Sequence, residues 1–225
     1  MRLTAPYRVL MTTTMTATSA ARHLRAQLCD LFEQVGPTAP TLCEGWTAAD
    51  LAAHLVIREG RPDAALGIVA KPFAARTTRI QRAYAQLPWS QLVAKVRRGA
   101  PIWSPLRWLD GAANLIEFAV HLQDVLQANP STATPQTDAV TQEQIESLVW
   151  KRLSAGAQLM FRNVRIPLTF ATTGGQVKVV RPGSGIRITG TPMQLVMEAT
   201  GRHSSALIEG DDAAITTYRQ SSRRI

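Results

Sequence analysis

Apolar residues recur at spacings of three and four in three stretches of the first 130 residues, a pattern typical of amphipathic helices. The stretches cover residues 18–34, 47–60 and 112–128. Gly36 and Pro37 end the first of them, since neither residue continues a helix well. Thr47 and Asp50 open the second with the spacing of a capping box, in which Asp takes the place of the usual Glu. We therefore predict three long helices in this part of the chain.

Between the second and third helices the pattern is less regular. Pro62 suits the first turn of a further helical stretch that reaches about residue 68. Residues 72–98 are amphipathic and rich in Arg, and Pro88 interrupts them, so one or two shorter helices are expected there. Together with the long helices, this favours an up-and-down bundle over residues 18–130. Residues 1–17 lack a helical pattern and an apolar signal-peptide core, and we expect a disordered leader.

The hydrophobic period changes in the last third of the chain. Residues 129–138 have linker composition, and a helical pattern follows at 142–161. Alternating apolar positions then predict short strands at 164–170, 176–180 and 186–189. Thr191 and Pro192 open what the pattern predicts to be the last helix, which Gly201 ends, and residues 205–209 could add a closing strand. The fold class is therefore α+β, with a helical bundle at 18–130 followed by a small α+β domain at 140–215.

Composition narrows the possible functions. With 45% hydrophobic and 18% charged residues, the chain has the composition of a globular protein, and no apolar run is long enough for a membrane span. The two cysteines are too far apart for a metal-binding pair and give no disulfide framework, so a reducing cytoplasm is expected. The net charge of +9 comes from scattered basic residues without a recognition motif, which argues against a nucleic-acid partner and suits attraction of a small anionic substrate.

Two of the four histidines lie in the middle of the best-defined helices. His121 follows Glu117 by four positions and precedes Asp124 by three, so the three side chains share one helical face. His54 on the second helix is the natural third ligand for a metal held between helices. Two His and one carboxylate leave a fourth position open, as in catalytic zinc sites, and Asp124 would accept the second N–H of His121. The alternative is a pair of ordinary core or boundary histidines, with Glu117 as helix surface support.

The residues around these histidines resemble a known family. The segment that begins Leu42-Cys-Glu-Gly-Trp and runs through His54 to Glu59 looks like the N-terminal signature of mycothiol-dependent maleylpyruvate isomerase-like proteins, which belong to the DinB-like four-helix metalloproteins. Residues 114–125 resemble the second motif of that family, and residues 190–202 resemble its sterol-carrier-like C-terminal domain. The likeness is greatest to the actinobacterial metal-binding subgroup. One departure is Leu122, where many relatives have a second His.

This resemblance implies a zinc ion, or another divalent metal, on His54, Glu117 and His121, and mycothiol or a similar small thiol as cosubstrate. The metal would bind the thiol as a thiolate, which would then attack an electrophile. Addition, rotation and elimination would give isomerisation, whereas attack at a carbon with a leaving group would give thiol transfer. The sequence does not choose between these reactions.

Two further residues are candidates for roles near the metal. Arg202, at the end of the predicted last helix, could clamp a substrate carboxylate, with an ordinary surface arginine as the alternative. Cys43 could be reactive, but a small buried thiol is the preferred interpretation. Two other functions stay open: a non-catalytic, metal-dependent protein that binds a small ligand, and a basic protein associated with nucleic acid.

Overall fold

The computed structural model describes residues 14–63, 72, 74–104, 107, 110–131, 137–162 and 164–221. This part of the chain forms eight helices and a four-stranded sheet, so the predicted α+β class is confirmed. The helices that precede the sheet are α1 (Ala17–Val35), α2 (Ala48–Gly60), α3 (Ala74–Ala85), α4 (Trp89–Arg98), α5 (Asp110–Ala128) and α6 (Ala139–Met160). They are followed by β1 (Leu168–Thr172), β2 (Val177–Arg181), β3 (Ile186–Gly190), α7 (Pro192–Ala199), β4 (Leu207–Glu209) and α8 (Asp212–Gln220).

The long helices begin where polar side chains can cap them. In α2 the Thr47 hydroxyl accepts a bond from the Asp50 amide at 3.3 Å, and the Asp50 carboxylate accepts one from the Thr47 amide at 3.0 Å, which confirms the predicted capping box. Thr16 and Ser19 form a similar box at the start of α1. This helix therefore begins at Ala17, within the residues that we expected to be a leader. Pro88 separates α3 from α4, as predicted.

The first helices pack around a common core. Helix α1 lies along α5 and also contacts α4, while α2 packs against α3 and α4. Leu28 and Phe32 of α1 and Phe118 of α5 are fully buried in this core. The two helices start side by side, because a Cβ atom at Gly111 would lie 2.5 Å from the Thr18 hydroxyl oxygen. A residue with a side chain would force α1 away from α5 at this point.

The sheet has the strand order β2-β1-β3-β4. Strands β1 and β3 are parallel, with Phe170 opposite Ile188, and the two outer strands are antiparallel to their neighbours. Helix α7 packs against β1 and β3, and α6 packs against α7 and β2. All four predicted strands are present with shifted ends.

The prediction that the helix after Thr191 is the last one is wrong, because α8 follows β4. Asp211 caps α8, and the helix buries Tyr218 completely. Its only large buried side chain is a Tyr, so the apolar stripe is too narrow to stand out in the sequence.

Some expectations lie outside the described residues. They concern the leader at 1–13, residues 64–68 of the helical stretch that begins at Pro62, and half of the linker, at 132–136. Among the helices that are described, none has the length and apolar character needed to cross a membrane.

Candidate metal centre

Two helices bring the predicted ligands together. His54 lies in the second turn of α2, beyond the Thr47 cap, and Glu117 and His121 lie one turn apart on α5. Ala53 and Ala119 beside them are buried, and such small side chains leave room for the imidazole rings. The ring centroids of His54 and His121 are 5.6 Å apart.

The donor atoms of the three residues converge on one point. Glu117 Oε1 is 3.2 Å from His54 Nε2 and 3.4 Å from His121 Nε2, and all three ligand atoms lie within 4.8 Å of one another. Zn–N and Zn–O bonds of about 2.0–2.1 Å in tetrahedral geometry place neighbouring ligand atoms about 3.3 Å apart. The two distances from Glu117 Oε1 match this edge length, so the carboxylate and each imidazole are spaced as they would be around a zinc-sized ion. The same separations also suit hydrogen bonds from the imidazoles to the carboxylate.

The convergence point is partly open to solvent. The side chains of His54, Glu117 and His121 are exposed by 11%, 13% and 9%. Trp46 covers one side, with its ring centroid 5.1 Å from that of His54. The three side chains are thus largely buried, and Glu117 keeps the largest exposed fraction.

The pKa values of the two histidines are shifted in opposite directions. Burial lowers the pKa of His54, and its bond to Glu117 offsets this only in part. Burial would also lower the pKa of His121, but its bonds to Asp124, Cys43 and Glu117 outweigh that effect and hold the pKa well above 6.5. Burial would raise the pKa of Glu117, but the two histidines and Arg58 hold it well below its ordinary value. Without a metal, the centre is thus a carboxylate beside one neutral and one protonated imidazole at pH 7.

Asp124 holds the far side of the His121 ring. Its Oδ2 is 2.9 Å from His121 Nδ1, which leaves Nε2 directed at Glu117. The Asp124 side chain is fully buried, and Arg202 binds both of its oxygens at 2.9 and 3.0 Å. Burial would raise the Asp124 pKa, but His121 and Arg202 lower it, so the residue is a carboxylate. Asp124 therefore occupies the position expected from the sequence for a group that orients a ligating histidine.

The structure brings Arg202 and Cys43 to the same place. Arg202 lies after α7, in the C-terminal part of the chain, and its partner here is the carboxylate of Asp124. The Cys43 thiol donates to Asp124 Oδ2 at 3.2 Å and lies 3.7 Å from Arg202 Nη2. Cys43 is only half-buried, so the preferred interpretation of a small buried thiol is wrong.

Cys43, His121 and Asp124 form a second group of potential ligands. That group already contains the Arg202 guanidinium, which engages both Asp124 oxygens and repels a second cation. In the group of His54, Glu117 and His121, an arginine also lies beside the carboxylate, with Arg58 Nε 3.3 Å from Glu117 Oε1. Both groups therefore have an arginine beside the carboxylate, and they differ in that one supplies two imidazoles and the other an imidazole and a thiol.

A buried polar network, which we did not predict, extends from Glu117 into the core. Arg58 contacts Glu117 and donates to the side-chain oxygen of Asn114, whose amide nitrogen donates to Glu59 Oε1 at 3.1 Å. Glu59 forms a two-pronged ion pair with Arg25, with both bonds at 2.6 Å. Arg58 follows His54 by four positions and so shares its helical face, which means that its position beside the centre could have been predicted from the sequence. The ion pair between Glu59 and Arg25 was not, because 34 residues separate its members.

Comparison with solved structures shows which known folds this architecture is similar to. The chain is similar to a crystal structure of the mycothiol-dependent maleylpyruvate isomerase, with 14% identity and a TM-score of 0.49 over 93% of this chain and 95% of that chain. It is also similar to the crystal structure of a histidine-to-alanine mutant of the mycothiol-dependent maleylpyruvate isomerase, with 12% identity and a TM-score of 0.52 over the same shares. At these identities the likeness shows the fold, so the resemblance suggested by the sequence motifs is confirmed at that level. No protein-family model and no curated protein matches the sequence.

Proposed function

We propose that this protein binds a divalent metal, zinc in the first instance, through His54, Glu117 and His121, and uses it to activate a low-molecular-weight thiol. The observation that carries the proposal is the convergence of three donor atoms within 4.8 Å of one another, with the carboxylate oxygen at the tetrahedral separation from each imidazole nitrogen. Two imidazoles and a carboxylate are a common ligand set of catalytic zinc. Each of the three side chains keeps some exposed surface, which an open fourth position requires.

When bound, a divalent metal would make a thiol at the open position far more acidic. The chain's own residues would prepare the site for this chemistry. With a metal on Nε2, Asp124 would accept the Nδ1–H of His121 and so fix its tautomer and orientation, and Arg202 helps to keep Asp124 ionised. Trp46 shields one side of His54 from water. Asp124 and Arg202 are therefore our candidates for residues that support the reaction.

The same proposal includes the domain boundaries, the thiol, the second substrate and the cellular location. We assign residues 18–130 to a DinB-like four-helix bundle and residues 140–215 to a sterol-carrier-like domain, supported by the sequence motifs. Mycothiol is the first thiol to test, because the solved structures with this fold are of mycothiol-dependent enzymes. The second substrate would be an electrophile, and the net charge of +9 favours an anionic one. A cytoplasmic location in an actinobacterium is consistent with two free cysteines and a thiol cosubstrate.

Metal content of the purified protein tests the ligand assignment. We expect about one equivalent of zinc in wild type and a loss of most of it in His54→Ala, Glu117→Ala and His121→Ala, since each change removes one of three protein ligands. His203→Ala is the matched control, because His203 is exposed and contacts Arg219 instead. No metal in wild type after zinc addition, or equal loss in the control, would contradict the proposal.

Activity of the zinc-loaded protein separates catalysis from binding. We expect mycothiol-dependent turnover of maleylpyruvate, or transfer of mycothiol to an electrophile that carries a leaving group, and no turnover by the Glu117→Ala variant. Isomerisation and transfer give different products, which liquid chromatography resolves. Zinc and thiol binding without turnover of either kind would favour the non-catalytic ligand-binding function.

A further inference from the structure

Five arginines line one cavity that the proposed function does not use. The cavity has a volume of about 460 Å³, and we call it the arginine pocket. Its lining consists of Arg22, Arg25, Ala26, Arg97, Arg98, Gly99, Ala100 and Arg107. The described lining thus contains five cations and no acidic side chain.

Three segments build the arginine pocket. Arg22 and Arg25 lie one turn apart on α1, Arg97 and Arg98 end α4, and Arg107 follows in the next segment. Arg25 is buried, and Glu59 and the Val96 carbonyl hold its guanidinium in one position. Gly99 has a φ of +75°, and a Cβ atom there would lie 2.8 Å from Arg25 Nη1. The backbone of the turn therefore passes directly against a fixed guanidinium group.

The charges of the arginine pocket are only partly compensated. Glu59 neutralises Arg25, and Asp30 and Glu33 bind Arg97 at 2.8 and 2.9 Å. Arg107 donates to the Ala100 carbonyl, which carries no formal charge. In the described part of the chain, Arg22 and Arg98 have no ion-pair partner. Three positive charges thus face one cavity without a counter-charge from the residues that the structure describes.

We propose that the arginine pocket binds a small polyanion through phosphate or carboxylate groups. Guanidinium groups donate parallel hydrogen bonds to both kinds of oxyanion, and a cluster of them favours a ligand with two or more negative charges. The volume falls within the usual range of small-molecule pockets, about 300–1,000 Å³. A concave pocket suits a compact ligand better than a nucleic-acid backbone, which needs a basic stripe.

Calorimetric titration of the metal-free full chain with pyrophosphate tests the proposal, and citrate provides a parallel titration. At an ionic strength of about 0.15 M we expect one saturable site with a Kd below about 1 mM. The variant Arg22→Ala with Arg98→Ala should raise that Kd by about tenfold or more, because it removes two charged donors. The matched control is Arg79→Ala with Arg82→Ala on α3, where both arginines are exposed and have no ion pair among the described residues.

The control separates a local site from the general field of a +9 protein. Tighter binding of pyrophosphate would identify phosphate as the recognised group, and tighter binding of citrate would identify carboxylate; either result supports the pocket. An equal loss of affinity in both double variants would overturn the proposal. So would no saturable binding of either anion, or binding of a DNA duplex alone that is lost in the pocket variant. Since no metal is present, failure here leaves the zinc proposal untouched.

Discussion

At the scale of single residues, the candidate centre shows how neighbours give two identical side chains different properties. His54 contacts one carboxylate and is neutral at pH 7, since burial lowers its pKa. His121 lies between Glu117 and Asp124, and its pKa is raised well above 6.5 despite burial. Metal ions bind only the neutral imidazole. A metal that binds both rings must therefore displace a proton from His121 but not from His54.

This difference predicts the proton release on zinc binding. Between pH 6.5 and the raised pKa of His121, zinc should displace about one proton, from His121, and none from His54. Zinc affinity should then rise about tenfold per pH unit across that interval. Calorimetry in two buffers of different ionisation enthalpy measures the released protons. Buffer-independent heats would contradict the assignment, and so would a release of two protons near pH 6.5, where most zinc-bound water is still un-ionised.

The spacing of residues on one helix could be predicted, whereas contacts between distant segments could not. Glu117, His121 and Asp124 share a face because their separations of four and three follow the helical period. His54 could be proposed as their partner only from its place on another helix and from the family motifs. Nothing in the local pattern indicated that Cys43 and Arg202 meet at Asp124, since Arg202 lies 78 residues beyond Asp124. Such contacts depend on how the elements pack.

At the scale of elements, the pair of Arg25 and Glu59 fixes α1 against α2. Arg25 also donates to the Val96 carbonyl near the end of α4, so one guanidinium joins three helices. Both side chains are nearly inaccessible, with exposures of 8% and 4%. Removing one partner from a buried ion pair leaves a charge without compensation, which costs far more than replacing both with apolar groups.

We therefore expect Glu59→Leu to lower the free energy of unfolding by about 3–5 kcal/mol. The double variant Arg25→Met with Glu59→Leu should be considerably more stable than the single variant, because no unpaired charge remains. Urea unfolding measures both values, and Arg97→Met serves as a control because its ion pairs with Asp30 and Glu33 are exposed. If the double variant were less stable than the single one, an uncompensated charge on Arg25 would not explain the instability of Glu59→Leu.

At the scale of the whole molecule, Arg202 connects the C-terminal part of the chain to the candidate metal centre. Its backbone amide donates to the Met197 carbonyl at the end of α7, and its side chain reaches Asp124 on α5. Asp124 in turn orients His121. The ion pair between Arg202 and Asp124 therefore links the C-terminal part of the chain to the centre, although every proposed metal ligand lies on α2 or α5.

The Asp124–Arg202 pair predicts a stability that depends on pH in one direction. The Asp124 pKa is lower in the folded chain than its ordinary value of 3.8, so the pair stabilises the fold above that pH. This stabilisation is lost as the pH falls through the lowered pKa. Arg202→Ala should cost about 2 kcal/mol at pH 7, since the buried charge of Asp124 loses one of its partners, and progressively less below about pH 4.

Urea unfolding of wild type and Arg202→Ala at pH 7 and near pH 3.5 measures the effect. Arg187→Ala, an exposed change on β3, controls for the loss of one positive charge in the same part of the chain. In an Asp124→Asn background, Arg202→Ala should have a much smaller effect at pH 7, because the charge that it compensates is gone. The loss of unfolding free energy could instead be equal at both pH values, or unchanged in that background. Either result would mean that Arg202 stabilises the fold through hydrogen bonds to main-chain atoms rather than through Asp124.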